Sequence, residues 1–218
     1  MSKDLIIIGA GASGRLVAEA AGEMANEWNL LGYLDDDPFK QGKEINGVTV
    51  LGKIDTIDKY PYSYFIIKLG NPKNRFFKKE FTESLKIEKE RYATIIHPEA
   101  KVSKYTTIGR GTVIMPRVTV QVNVKIGDHV TINGHAYVGH DVTVEDHAAI
   151  TTSAAIGGRV RIEEGAFIGI NTSIREDLVV GKWSVIGINA AVVNNVPPYE
   201  IWAGVPAKFI RKGSVEPA

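Results

Sequence analysis

The sequence predicts two units of different grammar, a small parallel α/β unit over residues 1–96 and a parallel β-solenoid over 97–218. Three observations carry this reading. The apolar run Leu5-Ile6-Ile7-Ile8 leads into a glycine-rich turn and a helical pattern. Helical grammar then stops at His97-Pro98, and from there an aliphatic residue recurs every six positions without a slip.

Leu5 to Ile8 reads as a buried strand, and Ser13 to Trp28 has helical spacing with Leu16, Val17, Ala20, Ala21 and Met24 on one side. Leu31 to Leu34 reads as a second strand, Tyr64 to Leu69 as a third, and Asn74 to Leu85 as a helix. Strands alternating with helices imply a parallel sheet. The charged stretch Lys78 to Arg91 reads as a solvated helix face without a function of its own.

The six-residue series is Val102, Ile108, Ile114, Val120, Ile126, Ile132, Val138, Val144, Ile150, Ile156, Ile162, Ile168, Ile174, Val180, Ile186 and Val192. Two positions earlier stands a small or β-branched residue in most hexads, for example Thr112, Val130, Ala148 and Ala166. A short fixed period marks a solenoid in which each hexad supplies one strand and one turn. Three hexads close a triangular coil, so residues eighteen apart stack, and the sixteen aliphatics form the core of about five coils with no long inserted loop.

Composition narrows the function. The 26 basic and 25 acidic side chains leave no electrostatic footprint for nucleic acid or an anionic membrane. The absence of cysteine excludes disulfides, thiolate zinc sites and thiol nucleophiles, and fits a reducing compartment. The opening apolar run is too short for a bilayer span or a signal-peptide core, so a cytoplasmic location is expected. Four histidines, His129, His135, His140 and His147, lie within eighteen residues. Stacking places only His129 and His147 in one column, and no carboxylate or cysteine completes a tetrahedral set, so no metal is expected.

Gly9-Ala10-Gly11-Ala12-Ser13-Gly14, Leu34-Asp35-Asp36, Leu69-Gly70-Asn71, the hexads, Asn133, Val138-Gly139-His140-Asp141 and Ala203-Gly204-Val205-Pro206-Ala207-Lys208 together resemble one family. It is the hexapeptide-repeat acyltransferases, within them the nucleotide-amino-sugar N-acetyltransferases with an amino-terminal Rossmann-like domain, related to sialic-acid O-acetyltransferases. The resemblance implies a homotrimer of left-handed parallel β-helices, acetyl-CoA as co-substrate between neighbouring subunits, and a nucleotide-linked amino sugar, UDP-linked by expectation, held by the amino-terminal domain.

His140 occupies the place of the family's general base, with Asp141 as its partner. Removing a proton from an amine suits a neutral imidazole near pH 7, and adjacent residues can pair only at a turn. One coil along from His140 stands Gly158, whose backbone N–H is placed to stabilise an oxyanion. The resemblance assigns Gly9, Gly11, Ala12, Ser13, Asp35, Asp36, Gly70, Asn71 and Asn133 to the acceptor, and Ala149, Gly158, Ile170, Ile188, Pro206 and Lys208 to acetyl-CoA. Strand, glycine-rich loop and helix start also suit a pyrophosphate by themselves. At about 95 residues, the front unit is short for a complete dinucleotide fold, which favours a mononucleotide-sized ligand. Members usually carry histidine where Ser13 and Ala149 stand here. His147 is two residues from the second, with a different hexad phase. The alternatives are O-acetylation of a sugar hydroxyl and a nucleotide-binding trimer without catalysis.

Overall fold

The computed structural model describes residues 2–69 and 75–213, so Gly70 and Asn71 lie outside the described residues. The first unit contains β1 (Lys3–Ile8), α1 (Ala12–Gly22), β2 (Trp28–Leu34), β3 (Glu44–Ile45), β4 (Val48–Gly52), β5 (Tyr64–Ile67) and α2 (Arg75–Ser84). The sheet order is β3-β4-β2-β1-β5, with β4, β2, β1 and β5 parallel and β3 antiparallel at the edge. Strand β1 lies between β2 and β5, and Leu5 to Ile8 are completely buried, as expected of a strand covered on both faces.

Three local expectations change. Helix α1 ends at Gly22, and Trp28 opens β2, its indole packed edge-on against Tyr64 at 5.6 Å. Leu16 is not part of the core face; it is half exposed. The pair β3–β4 turns through Asn46 and Gly47, both at positive φ. Asn-Gly between two short apolar runs is a strong hairpin signal that the sequence reading passed over. At Gly14 a side chain is excluded, because a Cβ there would lie 1.9 Å from the Gly9 carbonyl oxygen; its absence lets α1 sit directly on the loop after β1.

The second unit is a parallel β-helix of two-residue strands on three walls. The first wall runs from Ile95–Ile96 to Val185–Ile186, the second from Lys101–Val102 to Ala191–Val192, and the third from Thr107–Ile108 to Val179–Val180. Within each wall successive hexad strands pair at a spacing of eighteen residues, as Val120 does with Val138. An antiparallel hairpin of Glu200–Ala203 and Lys208–Lys212 closes the first wall. The hexad aliphatics are buried except Val102 and Ile108, which are half-buried because their walls begin there and no earlier coil covers them.

The corners explain the residue types at the turns. Three positions after each core aliphatic from Ile108 to Ile186 the backbone enters the left-handed region, as at Asn123, His129, His135, Asp141, His147 and Gly165. Short polar side chains and histidine accept this conformation better than apolar ones. His129 and His147, one coil apart, stack with ring centroids 5.2 Å apart and planes within 6°. Tyr92 meets His129 edge-on at 4.6 Å. Burial, with nearby Lys78 adding to it, lowers His129 to about 4 and His147 to about 3.

Both rings are therefore neutral in the fold, while unfolded histidine titrates near 6.5. Between those values the unfolded chain binds more protons, so stability is complete above pH 6.5 and falls as the pH drops toward 4. Melting temperatures measured from pH 7.5 to 4 are expected to decline, and to decline less in a His129→Asn, His147→Asn double variant. An identical decline in the variant would contradict this origin.

Candidate active site

The second-wall strand Tyr137–Val138 delivers Gly139 and then His140 and Asp141 to the corner between the second and third walls. Asp141 has φ of 58°, which folds its side chain back on its neighbour. His140 Nδ1 lies 2.7 Å from Asp141 Oδ2, so sequence neighbours meet because they occupy a turn and not a strand. Asn123, one coil earlier, donates from Nδ2 to Asp141 Oδ1 at 3.1 Å. The hydrogen bond from His140 and then that from Asn123 hold the Asp141 carboxyl below its ordinary range. With an ionised carboxylate on Nδ1, that nitrogen carries the hydrogen and Nε2 presents its lone pair. Asn123 is a positioning residue that the sequence reading missed, although counting eighteen back from Asp141 finds it.

Gly158 lies beside that lone pair. A Cβ at Gly158 would stand 2.6 Å from His140 Nε2, and its N–H donates to no group among the described residues. The imidazole and the Gly158 backbone thus meet across one coil step. Both His140 and Asp141 are exposed, so a substrate reaches them from solvent.

A second feature is a cleft of about 320 Å³ between the α/β unit and the first wall. Ser13, Leu16 and Val17 of α1 and Ile67, Lys68 and Leu69 at the end of β5 form one side; Thr131, Asn133, Ala149 and Phe167 form the other. The predicted acceptor residues Ser13 and Asn133 and the predicted acetyl-CoA residue Ala149 therefore share one cavity. His140, Asp141 and Gly158 do not line it. They stand a full wall away in the same chain.

The stretch from Lys78 is not a solvated face. Lys78 reaches the cleft and donates to the His129 carbonyl at 2.5 Å, Lys79 pairs with Glu164 at 2.7 Å, and Lys89 pairs with Asp128 at 2.7 Å. These lysines dock the α/β unit on the solenoid; charge spacing along a helix cannot reveal partners so distant in sequence. His97 is likewise more than a linker. Its buried ring accepts the Glu99 N–H at Nδ1 and donates from Nε2 to Glu23 at 3.1 Å, joining the segment after α1 to the start of the solenoid.

In the glycine-rich loop, the buried Asp35 accepts the N–H of Ala10 at 2.8 Å, the N–H of Asp37 at 3.0 Å and the Lys40 ammonium at 3.0 Å. Burial alone would push its carboxyl up, but these donors together hold it below the ordinary value. Asp35 thus fixes the loop's shape. Asp36 is exposed and accepts the Ile54 N–H at 2.9 Å. Gly11 precedes α1 with no side-chain cap and no acid in the first turn, which suits the helix start to an anion.

Ile170 and Ile188 are exposed one above the other at the corner between the first and second walls, a different corner from that of His140. Pro206 follows a cis peptide bond in the terminal hairpin, and Lys208 is exposed on its second strand. No cluster of histidine, aspartate or glutamate suited to a metal occurs among the described residues. No helix among them is long and apolar enough to cross a membrane.

The PglD N-terminal domain family matches residues 4–79. The UDP-N-acetylbacillosamine N-acetyltransferase of Bacillus subtilis (strain 168) is 34% identical over 117 residues, which span half of this chain and half of that protein. The acetyltransferase domain of PglB from Neisseria gonorrhoeae FA1090, solved in complex with acetyl coenzyme A, superposes with a TM-score of 0.84 at 30% identity, over 96% of this chain and 100% of that one. A histidine-to-alanine mutant of GDP-perosamine N-acetyltransferase from Caulobacter crescentus, in complex with CoA and GDP-perosamine, superposes with a TM-score of 0.85 at 25% identity over 96% and 97% of the two chains. With an amino-terminal domain and a solenoid both of the expected kind, the chain belongs to the family of nucleotide-amino-sugar N-acetyltransferases that join a Rossmann-like domain to a left-handed parallel β-helix.

Proposed function

We propose that this protein transfers the acetyl group of acetyl-CoA to the amine of a nucleotide-linked amino sugar, with His140 as the general base. The observation that carries the reading is the His140 imidazole, anchored on one nitrogen by Asp141 at 2.7 Å and bare on the other beside Gly158. As the amine attacks the thioester carbonyl, Nε2 takes its proton, and Asp141 stabilises the imidazolium. The Gly158 N–H meets the oxyanion of the tetrahedral intermediate. Collapse expels the CoA sulfur, which recovers the proton from His140 and leaves as thiol. As written, the reaction uses no metal.

The relatives support the substrates. The gonococcal domain was solved with acetyl-CoA and the perosamine enzyme with CoA and a GDP-sugar. In this reading the uncapped start of α1 and the loop of Gly9, Gly11 and Ala12 receive the nucleotide phosphates, Ile170 and Ile188 guide the pantetheine arm, and Pro206 and Lys208 lie toward the CoA nucleotide. The acceptor is UDP-linked, the product serves a surface glycan, and the enzyme works in the cytoplasm.

The homotrimer that the family resemblance implies is supported by the separation of the two half-sites. The acceptor cleft and His140 are a wall apart in one chain, so a second copy must bring its dyad to the cleft. The second wall is suited to association, since beyond Lys101 at its start it turns Thr119, Tyr137, Ala155, Ser173 and Ala191 outward without a charge, whereas the third wall presents Lys125 and Arg161.

His140→Asn is expected to lower kcat/KM by about a thousandfold in a thiol-release assay with acetyl-CoA and a UDP-linked amino sugar, while the melting temperature stays unchanged because the ring is exposed. Activity retained by this variant would remove His140 as base. Asn123→Ala should reduce kcat by about tenfold and alter the pH-rate profile while leaving KM for acetyl-CoA unchanged, the signature of a group that positions Asp141. An unaltered profile would return Asn123 to a purely structural role.

A further inference from the structure

The cleft holds two lysines that the acetyl-transfer chemistry does not use. Lys68 Nζ donates to Thr131 Oγ1 at 2.9 Å, and Lys78 Nζ donates to the His129 carbonyl at 2.5 Å. An ammonium has three donors, so each keeps capacity for a further acceptor. Among the described residues neither lysine has an acid within ion-pair distance, unlike Lys40, Lys79 and Lys89. The described lining of the cleft includes no carboxylate at all. Much of its remaining described lining is apolar, with Leu16, Ile67, Leu69 and Phe167, and its neutral polar side chains include Ser13 and Asn133. His147 also lines it, and its buried Nδ1 has no partner among the described residues.

Two like charges in an apolar cavity are costly unless an anion joins them. The protonation of both lysines registers that cost. Desolvation, aided at Lys68 by the neighbouring Lys78, pulls Lys68 well below its ordinary value, and desolvation alone takes Lys78 to about 8. An arrangement that penalises its own charges when empty favours a ligand carrying the opposite charge.

We propose that Lys68 and Lys78 form an oxyanion subsite for the acceptor, so that the sugar this protein acetylates is itself acidic. The inference rests on reading the cleft as the acceptor site and adds the class of sugar. A carboxylate on the ring lies between the two ammonium groups, with Ser13 and Asn133 left for hydroxyls. A phosphate of the nucleotide offers the same chemistry, but in the proposed reading the uncapped start of α1 receives it and leaves the lysines for a second anion. The volume of about 320 Å³ accommodates one substituted hexose ring.

The test uses the full chain with glucuronate, glucose and inorganic phosphate as probes, followed by thermal shift and calorimetry. Glucuronate is expected to half-saturate at a concentration about tenfold lower than glucose. Lys78→Met alone and Lys68→Met, Lys78→Met together should abolish that preference while leaving the response to glucose in place, which shows that the cleft itself persists. If phosphate competes with glucuronate at equal affinity and Lys78→Met loses both, the oxyanion subsite stands and its occupant is the nucleotide. Equal responses to glucose and glucuronate, or a preference that survives in both variants, overturns the subsite. Activity surviving in His140→Asn would defeat the assigned base and leave this preference untouched, so the two readings fail separately.

Discussion

The eighteen-residue register of the solenoid is the constraint on which the rest depends. A main-chain ladder pairs each coil with the next, and the core accepts only small or aliphatic side chains, so the turn positions are fixed in space by arithmetic. The left-handed turn at Asp141 makes a dyad of two adjacent residues. The same register brings Asn123 to the carboxylate from one side and Gly158 to the imidazole from the other. A slip of one residue in either coil would separate all four groups, because strand neighbours point to opposite faces.

Rigidity of this kind places groups well but cannot by itself enclose a substrate, because a prism has outer faces and no interior space. The α/β unit supplies the missing wall. It is held on the solenoid by Lys79 to Glu164, Lys89 to Asp128 and the His97 junction with Glu23, and the space left between the two units is the cleft. The stacked histidines beside it are kept neutral by burial, so among the described residues the cationic groups of the cleft are Lys68 and Lys78. In the proposed reading, specificity and catalysis reside on different elements. The cleft is built from the junction of the units, and the dyad belongs to the solenoid alone.

Much of this was legible in the sequence because periodicity is a local property. The hexads located the core, the coil count and Gly158 opposite His140, and the glycine-rich loop located the strand-to-helix turn. What the sequence concealed was long-range. Leu16 has core spacing but turns into the cleft, since helical periodicity does not say which face meets a second unit. Lys78 reads as a surface charge until the solenoid is set against its helix. The hydrogen bonds that Asp35 accepts from Ala10, Asp37 and Lys40 are likewise invisible in the sequence. The β3–β4 hairpin, in contrast, was signalled by Asn46-Gly47 and simply passed over.

The central claim is that a dyad from one copy acts on a substrate held in the cleft of another, and mixing two inactive variants tests it most directly. His140→Asn lacks the base, and Ala149→Trp fills the cleft; each alone should be inactive. Refolded together at equal ratio, they should recover about a quarter of wild-type activity, the fraction of interfaces in a cyclic trimer that pair an intact dyad with an open cleft. A mixture as inactive as its parents would contradict the shared site and return catalysis to a single chain.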